Sequence, residues 1–184
     1  MPDDTELLAQ IGRGDQAAFR TLLDRHARYL FGVAHAMSGS TADAEDLVQE
    51  TLMGAVTSAG KFRGESSVRT WLVRILVNKV RMWRRSDRKH ERTVRLNDVG
   101  ASGRPPGEPA SAGGSVSATV DAKLDLTLML AQLTPEHRQV IILRELQGMS
   151  YEEMAQALDV PRGTVESRLH RAREELRKRF KRYP

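Results

Sequence analysis

The chain has 184 residues, enough for one or two small domains, with a net charge of +5, 40% apolar residues and 5% aromatic residues. It contains no cysteine, which excludes disulfides, thiolate zinc sites and cysteine nucleophiles within the chain. No apolar run approaches the ~18 residues that span a membrane, and the acidic start predicts no secretory signal. We expect a cytoplasmic protein without direct membrane insertion.

Residues 1–95 predict a module of four helices, beginning with two that are separated by a glycine. The first is expected over Glu6–Arg13, capped by Asp3 or Asp4, and the second runs from an Asp15 cap to Met37. Along the second helix the apolar side chains recur at helical spacing, so one face of it is predicted to lie in the core.

Two further helices complete this module. The third begins at Ser40 or Thr41, and Ala59–Ser66 is predicted to be a loop before a fourth helix capped by Ser66 or Ser67. The spacing places an apolar stripe on each of the two helices. The predicted inner faces are Ala44, Leu47, Val48, Thr51, Leu52 and Val56 on the third helix, and Val68, Trp71, Leu72, Ile75, Leu76 and Val80 on the fourth.

A segment at 96–120 separates this module from the rest of the chain. Sixteen of the 23 residues from 97 to 119 are Gly, Pro, Ala or Ser, which offer almost nothing to bury. The segment therefore predicts a flexible linker with a relaxed span of about 26 Å.

Residues 121–184 predict a second helical module. A helix over Asp121–Leu133 precedes one that begins at Pro135, with Val140, Ile141, Leu143 and Leu146 on its inner face, and Gly148 ends it. Ser150 and Glu153 form a capping-box pattern at the start of the next helix. The last helix is expected from Arg162 toward Phe180, so the chain as a whole is predicted to be all-α with two small domains.

Charge is distributed unevenly along the chain. Residues 1–60 carry −5, residues 61–95 carry +9, residues 96–130 carry −2 and residues 131–184 carry +3. Basic blocks in both modules favour two contacts with a polyanion, although such blocks are also typical of solvated helix faces.

The stretch from Tyr151 to Arg173 has the layout of a helix-turn-helix, the motif that places its second helix in the major groove of DNA. Arginine binds guanine edges and Ser or Thr binds bases or phosphates, so polar residues on one side of the second helix are candidate DNA contacts. The alternative is a basic helix in a plain bundle. The candidates are Arg162, Thr164, Ser167, Arg168 and Arg171 for bases, and Arg173 for the phosphate backbone.

Several motifs together resemble one protein family. They read LTPEHRQV at 133–140, LRELQGMSYEEMA at 143–155 and VPRGTVESRLHRAR at 160–173 in the second module, and AEDLVQET at 44–51 and KFRGESSVRTWL at 61–72 in the first. The later set resembles region 4, and the earlier set region 2, of extracytoplasmic-function (ECF) sigma factors. The resemblance implies a dissociable initiation subunit of bacterial RNA polymerase. The sequence shows no Walker loop and no metal-ligand cluster, so we expect no enzymatic activity, cofactor or metal.

The resemblance also implies roles and partners. Residues 1–95 correspond to region 2, which binds the clamp of core polymerase (the β′ subunit) and opens the −10 promoter element. Residues 121–184 correspond to region 4, which reads the −35 element and rests on the flap of the β subunit. An anti-sigma factor is the family's usual regulator.

Carried over to this sequence, the polymerase-binding residues are Asp46, Gln49 and Glu50, which lie in the acidic block and suit a basic partner. The base-capturing loop corresponds to 61–67, and the helix after it supplies outward-facing polar side chains. The implied −10 contacts are Lys61, Phe62, Arg63, Ser67, Arg74, Asn78 and Arg81.

Three aromatic side chains keep two interpretations. Phe62 either stacks on an unpaired base or packs against the core, and Trp71 is either a core residue or a wedge. Trp83 either stacks on bases or covers the edge of the module. At the helix-turn-helix turn, Asp159 stands where the family often has glycine, and we expect it to adopt the left-handed conformation that Asp tolerates.

Two promoter elements some 20 base pairs apart lie about 70 Å apart, farther than the relaxed linker spans. We therefore expect the free protein to be compact and to bind DNA poorly until core polymerase separates the modules. Three other functions compete with this reading: a response-regulator-like transcription factor, a nuclease, and an adaptor that binds polymerase without DNA. The first would need an upstream receiver or ligand domain, of which residues 1–95 show no pattern, and the second would need convergent carboxylates in the basic regions, which are nearly free of them.

Overall fold

A computed structural model describes residues 2–97 and 128–179, and the surroundings of side chains in 2–86 and 128–179. These residues are mostly helical and include no β-strand, which confirms the all-α prediction. The first module consists of α1 (Asp4–Ile11), α2 (Gln16–Ser38), α3 (Thr41–Ser58), a 3₁₀ turn (Ala59–Lys61) and α4 (Val68–Asn97).

The second module begins, in the described residues, with a helical stretch at 128–131 that belongs to the helix expected over Asp121–Leu133. It continues with α5 (Pro135–Ile141), a π-helical turn (Ile142–Leu146), α6 (Tyr151–Leu158) and α7 (Arg162–Arg179). α4 reaches Asn97, and residues 98–120 of the expected linker lie outside the described residues, so the flexible tether stays a prediction.

Side-chain caps fix where most of these helices begin. Asp3 and Glu6 form a reciprocal capping box on α1, and the Asp15 carboxylate accepts the amide hydrogens of residues 17 and 18 at the start of α2. Ser150 and Glu153 form the predicted capping box on α6. α1 itself runs two residues earlier than the expected Glu6–Arg13, because Asp3 rather than Asp4 is its cap.

The core runs through both modules. α2, α3 and α4 pack on one another, and α4 also packs on α6 of the second module. Leu72 and Leu76 of α4 are fully buried, and so are Val73 and Val77 one residue further around the helix. Residues 72, 73, 76 and 77 cover a wide arc of an α-helix. The buried surface of α4 is therefore wider than the single apolar stripe that its sequence predicts.

Two residues predicted to face the core do not. Val56 is 40% exposed because α3 turns the neighbouring positions inward: Ala55 is buried, and a Cβ built on Gly54 would lie 3.3 Å from Ile75 Cγ2. Leu146 is 42% exposed because the π-helical turn adds a residue to the helix period. In this turn the Gln147 amide donates to the carbonyl five residues earlier, Ile142 O, at 3.1 Å. Met149 is buried instead of Leu146.

Candidate nucleic-acid interface

The loop before α4 forms a small pocket at the surface of the first module. Its volume is about 280 Å³. Five residues that precede α4 and two from α4 line it together with a side chain of α6. The lining is Lys61, Phe62, Arg63, Glu65, Ser66, Trp71, Arg74 and Gln156.

Phe62 and Trp71 meet edge to face inside this pocket, with ring centroids 5.4 Å apart. Both rings are half-buried and pack against the core, and the Trp83 ring does the same. The aromatic surface of Phe62 is therefore fixed by Trp71 while part of it remains open to the pocket.

Ser67 lies at the start of α4, where its hydroxyl accepts the Thr70 amide hydrogen at 3.1 Å and contacts the Thr70 hydroxyl at 2.8 Å. The side chain thus acts as the helix cap that the sequence predicts. Because Ser67 is exposed, its backbone also lies within reach of a ligand at the loop.

On the outward side of α4, Arg81 is half-buried against the second module, whereas Arg74 and Asn78 are exposed. Arg81 donates from Nη2 to Leu158 O at 2.9 Å, and its Nη1 lies 3.5 Å from Asn78 Oδ1. Leu158 is the last residue of α6, where carbonyls have no partner within the helix. A guanidinium at this position satisfies that carbonyl and complements the negative end of the helix dipole.

Two further contacts join the first module to the second in the region where α4 packs on α6, which we call the seam. Arg74 Nη2 lies 3.1 Å from Asp159 Oδ1, and Gln156 Nε2 donates to Glu65 O at 3.4 Å. The sequence predicts Arg74, Asn78 and Arg81 as DNA contacts, and the structure brings them together on one side of α4, against α6.

A third part of the seam involves the end of α2. Met37 O accepts from Arg84 Nη2 at 2.7 Å and lies 3.5 Å from Arg138 Nη1 in the second module. Arg138 also donates to Leu130 O at 2.7 Å and Ala131 O at 2.9 Å. Burial lowers the pKa of Arg138. Sequence reasoning missed this residue, because Arg138 lies among Glu136, His137 and Gln139 in a polar half-helix that gives no signal of burial.

The acidic face of α3 lies on the surface of the first module. Asp46, Gln49 and Glu50 are all exposed, and Glu50 Oε2 lies 3.2 Å from Lys79 Nζ. Helical spacing continues this face to Met53, which is 63% exposed. Met53 in turn borders an apolar groove of about 510 Å³ that also contains Phe19 and Val56. Sequence reasoning named the acidic residues and missed the apolar groove beside them.

In the second module, α6 and α7 form the predicted helix-turn-helix. Asp159 adopts the left-handed conformation, with φ 57° and ψ 49°, as expected. Val165, Leu169 and Ala172 are buried on the inner side of α7. The opposite side of α7 is consequently available to a ligand.

The candidate DNA contacts of α7 fall into two groups. Ser167 and Arg171 are exposed, and Thr164 and Arg168 are half-buried. Arg162 is paired with Glu152 and Glu166, and Arg173 Nη2 lies 2.6 Å from Glu145 Oε1. Hydrogen bonding to Glu166 raises the pKa of Arg162, and hydrogen bonding to Glu145 raises the pKa of Arg173. Each of these two guanidinium groups is therefore already paired with a carboxylate of its own module.

Within residues 2–97 and 128–179, no helix is both long and apolar enough to cross a bilayer. In the same ranges, His and acidic side chains do not gather into a group of three that could hold a metal ion.

Comparison with known protein families gives two matches. Residues 22–90 match the model described as sigma-70 region 2, and residues 123–176 match the model described as sigma-70, region 4. The two matches occur in the order of the two structural modules.

Relatives of known function cover nearly the whole chain. It is 35% identical over 173 residues to the ECF RNA polymerase sigma factor SigM of Mycobacterium tuberculosis, covering 94% of this chain and 82% of the relative. It is 34% identical over 184 residues to the ECF RNA polymerase sigma-E factor of Escherichia coli K12, covering 94% of this chain and 92% of the relative.

Two solved structures share the fold. CnrH in complex with the cytosolic domain of CnrY matches with a TM-score of 0.71 and 27% identity, covering 98% of this chain and 99% of that one. The sigma factor RpoE of Bartonella quintana, in complex with the anti-sigma factor NepR, matches with a TM-score of 0.66 and 31% identity, covering 90% and 98%.

Proposed function

Because this chain belongs to the ECF RNA polymerase sigma factors of the sigma-70 family, it directs promoter-specific transcription initiation by bacterial core RNA polymerase, and we propose how its two modules divide that work. Residues 1–95 act as region 2, residues 96–120 as a flexible linker and residues 121–184 as region 4. Sigma factors are transcription regulators, and in this proposal the chain opens and positions DNA by binding, without catalysis.

Region 2 binds the polymerase clamp through α3. Asp46, Gln49 and Glu50 present acidic and polar groups to a basic partner surface, and Met53 adds an apolar contact on the same face. The groove beside Met53 gives that partner an apolar surface to cover. An interface with a charged face and an apolar anchor combines steering with desolvated contact area.

The loop at 61–67 captures an unpaired base of the −10 element. Unstacking a base costs roughly a few kcal/mol, which pocket contacts must offset. The Phe62 ring, fixed by Trp71, offers a stacking surface, while Lys61 and Arg63 neutralise phosphates nearby. Ser67, Arg74, Asn78 and Arg81 then contact the opened strand along the start and outward side of α4.

Region 4 reads the −35 element through α7. Arg162, Thr164, Ser167, Arg168 and Arg171 lie near its N-terminal half, the part of a recognition helix that reaches base edges. Arg173 contacts the phosphate backbone further along. Asp159 and the buried face of α7 hold the helix at a fixed angle to α6.

One observation supports a regulated cycle for these contacts: side chains proposed for the −10 strand are bound to the second module. Arg74 pairs with Asp159 and Arg81 with Leu158 O. DNA can engage Arg74 and Arg81 on this side of α4 only by displacing these contacts with α6 and its turn. The free chain is therefore a poor DNA binder. Core polymerase exposes the −10-binding side of α4 and the −35-binding side of α7 by separating the modules.

An anti-sigma factor would act on the same equilibrium between closed and separated modules. CnrH and the RpoE of Bartonella quintana were both solved with a partner protein, the second an anti-sigma factor. A protein that binds both modules of this chain in the closed arrangement keeps it inactive by mass action. The cycle takes place in the cytoplasm, where polymerase and promoter DNA are found.

Transcription with purified components tests this function. Core polymerase, the chain and fragmented genomic templates from the source organism are combined, and transcript start sites are mapped. Discrete starts that require the chain support the proposal. No promoter-specific start above core polymerase, despite binding of the chain to core, would overturn it.

A further inference from the structure

The first residue of α7, Arg162, is held by three side chains of its own module. Its Nε donates to Glu166 Oε1 at 2.8 Å, one helical turn further along α7, and its Nη1 donates to Glu152 of α6. The carbon at the centre of its guanidinium lies 5.8 Å from the centroid of the Tyr151 ring. Contacts on three sides restrict an arginine side chain that would otherwise have many rotamers.

These contacts orient the guanidinium more than they stabilise the fold. The side chains of Arg162 and Glu152 are 59% and 60% exposed, and ion pairs with that much exposure contribute little to stability. Arg162 begins α7, and the N-terminal residues of a recognition helix are the ones that reach base edges. The two carboxylates therefore fix the direction of a guanidinium at a place where DNA can reach it.

Part of the guanidinium is left available to a ligand. A guanidinium has five N–H groups, one on Nε and two on each Nη. Glu166 accepts the hydrogen of Nε, and Glu152 accepts one hydrogen of Nη1. Among the residues that the structure describes, Nη2 has no hydrogen-bond partner. Two adjacent nitrogens, Nη1 and Nη2, can thus still donate while both carboxylates stay in place.

We propose that Glu152, together with Glu166, positions Arg162 to bind a guanine of the −35 element. Two adjacent donors match O6 and N7, the two adjacent acceptors that guanine presents in the major groove. A phosphate suits this site less well, because carboxylates beside the guanidinium repel an anion but not a neutral base edge. Glu152 is thus a positioning residue that lies on α6, outside the recognition helix. Since this role rests on the proposed function of region 4, its test must separate the two.

Transcription by holoenzyme, assembled from core polymerase and the full chain, tests this role on a promoter whose start site has been mapped. Each G·C pair of the −35 element is replaced in turn by A·T. The ratio of initiation on the original and replaced templates measures discrimination at that pair. The variants are Arg162→Ala, Glu152→Ala and the two combined.

Glu136→Ala is the matched control for Glu152→Ala. Both glutamates are exposed, and each is the second residue of its helix, α5 for Glu136 and α6 for Glu152. Glu136 is not among the contacts of Arg162. Thermal melting checks that each variant is folded, and little change is expected for side chains this exposed.

With the wild-type chain, replacement of one G·C pair is expected to lower initiation by about tenfold. At that pair Arg162→Ala should abolish discrimination, and Glu152→Ala should reduce it by about threefold or more, because the freed arginine must be ordered again on binding. Glu136→Ala should leave it unchanged. In the Arg162→Ala background, Glu152→Ala should have no further effect on discrimination, which a general loss of structure or charge would not reproduce.

Three results would overturn this role while wild-type initiation from the mapped start leaves the proposed function standing. They are discrimination at every G·C pair that is independent of Arg162, equal losses in Glu152→Ala and Glu136→Ala, and an effect of Glu152→Ala that persists without Arg162. If the wild-type chain gives no promoter-specific start, the proposed function fails and this role fails with it.

Discussion

Arg74 of α4 and Asp159 at the turn of the helix-turn-helix form an ion pair, with Nη2 and Oδ1 3.1 Å apart, although 85 residues separate them in sequence. The pair joins a cation proposed for the −10 strand to the residue that sets the angle of the −35 reader. One contact therefore involves both proposed DNA-binding elements at once, and in the proposed function closure of the modules opposes the use of either.

Asp159→Asn should loosen this seam. Asn tolerates the left-handed backbone, so the turn is kept while the charge is lost. The pair is exposed, and exposed pairs contribute about 1 kcal/mol at most, so the free chain's affinity for labelled duplex DNA should rise up to about fivefold. Fluorescence anisotropy of the labelled DNA, without polymerase, measures this affinity.

Asp24→Asn is the matched control for this change, since Asp24 is exposed on α2 and lies outside the seam. It removes the same charge, so an equal gain in DNA affinity would mean that net charge, rather than release of Arg74, is responsible.

Asp46→Lys should weaken binding to core polymerase by about tenfold or more, because it places a cation against the basic clamp. Glu45→Lys changes an equally exposed carboxylate of α3 that lies 100° around the helix from Asp46. Competition with a labelled wild-type chain for core polymerase compares the two variants. If Glu45→Lys is as damaging as Asp46→Lys, the binding face on α3 is assigned wrongly.

Arg171→Ala should impair transcription from promoters that depend on a −35 element. A base contact by arginine contributes ~1–3 kcal/mol, so initiation should fall at least fivefold on such a template. On a template whose −35 element is scrambled, the variant and the wild type should be equally weak. Arg171 is exposed on α7, so protein stability should be unchanged; a uniform loss on both templates would argue for a role other than base reading.

Asp4→Asn should destabilise the first module at neutral pH. Asp4 Oδ1 lies 2.7 Å from Arg25 Nη1, and Oδ2 lies 2.7 Å from His26 Nε2. Burial raises the pKa of Asp4, but hydrogen bonds to Arg25 and His26 outweigh it and the net pKa is lowered. A lowered pKa stabilises the fold above the unfolded-state pKa, and this stabilisation is lost as pH falls through the folded pKa.

The free energy of unfolding in urea, measured from pH 7 to pH 3, checks this. We expect Asp4→Asn to lose about 1 kcal/mol at pH 7, and the difference from wild type to shrink as the solution becomes acidic. A difference that stays constant across the range would contradict a role for the ionised carboxylate.

Much of the local structure follows from short-range chemistry and was predicted. Asp15 and Ser150 cap helices where their side chains can reach the first free amides, and Asp159 takes the left-handed turn because its short side chain tolerates it. Val56 and Leu146 were wrongly predicted to face the core. Periodicity identifies the buried face of a helix only where the helix is regular and where the element that packs on it is known.

The seam was beyond sequence reasoning for a different reason. Arg81 and Leu158 are 77 residues apart, and Arg138 and Met37 are 101 apart. An outward arginine on a basic helix has the same sequence pattern whether it meets DNA, solvent or a carbonyl of another module. The DNA-contact residues were proposed from residue type and position and stay predictions, whereas the contacts of Arg74 and Arg81 with the second module could be seen only in the fold.

The distance between the modules, with and without core polymerase, tests the account most directly. The chain has no native cysteine, so cysteines introduced at exposed Ala42 and Lys178 accept a donor and acceptor dye without background. Single-molecule energy transfer is expected to show one short distance in the free chain and a longer one when core polymerase is added. The same distance in both states, with binding to polymerase verified, would contradict it.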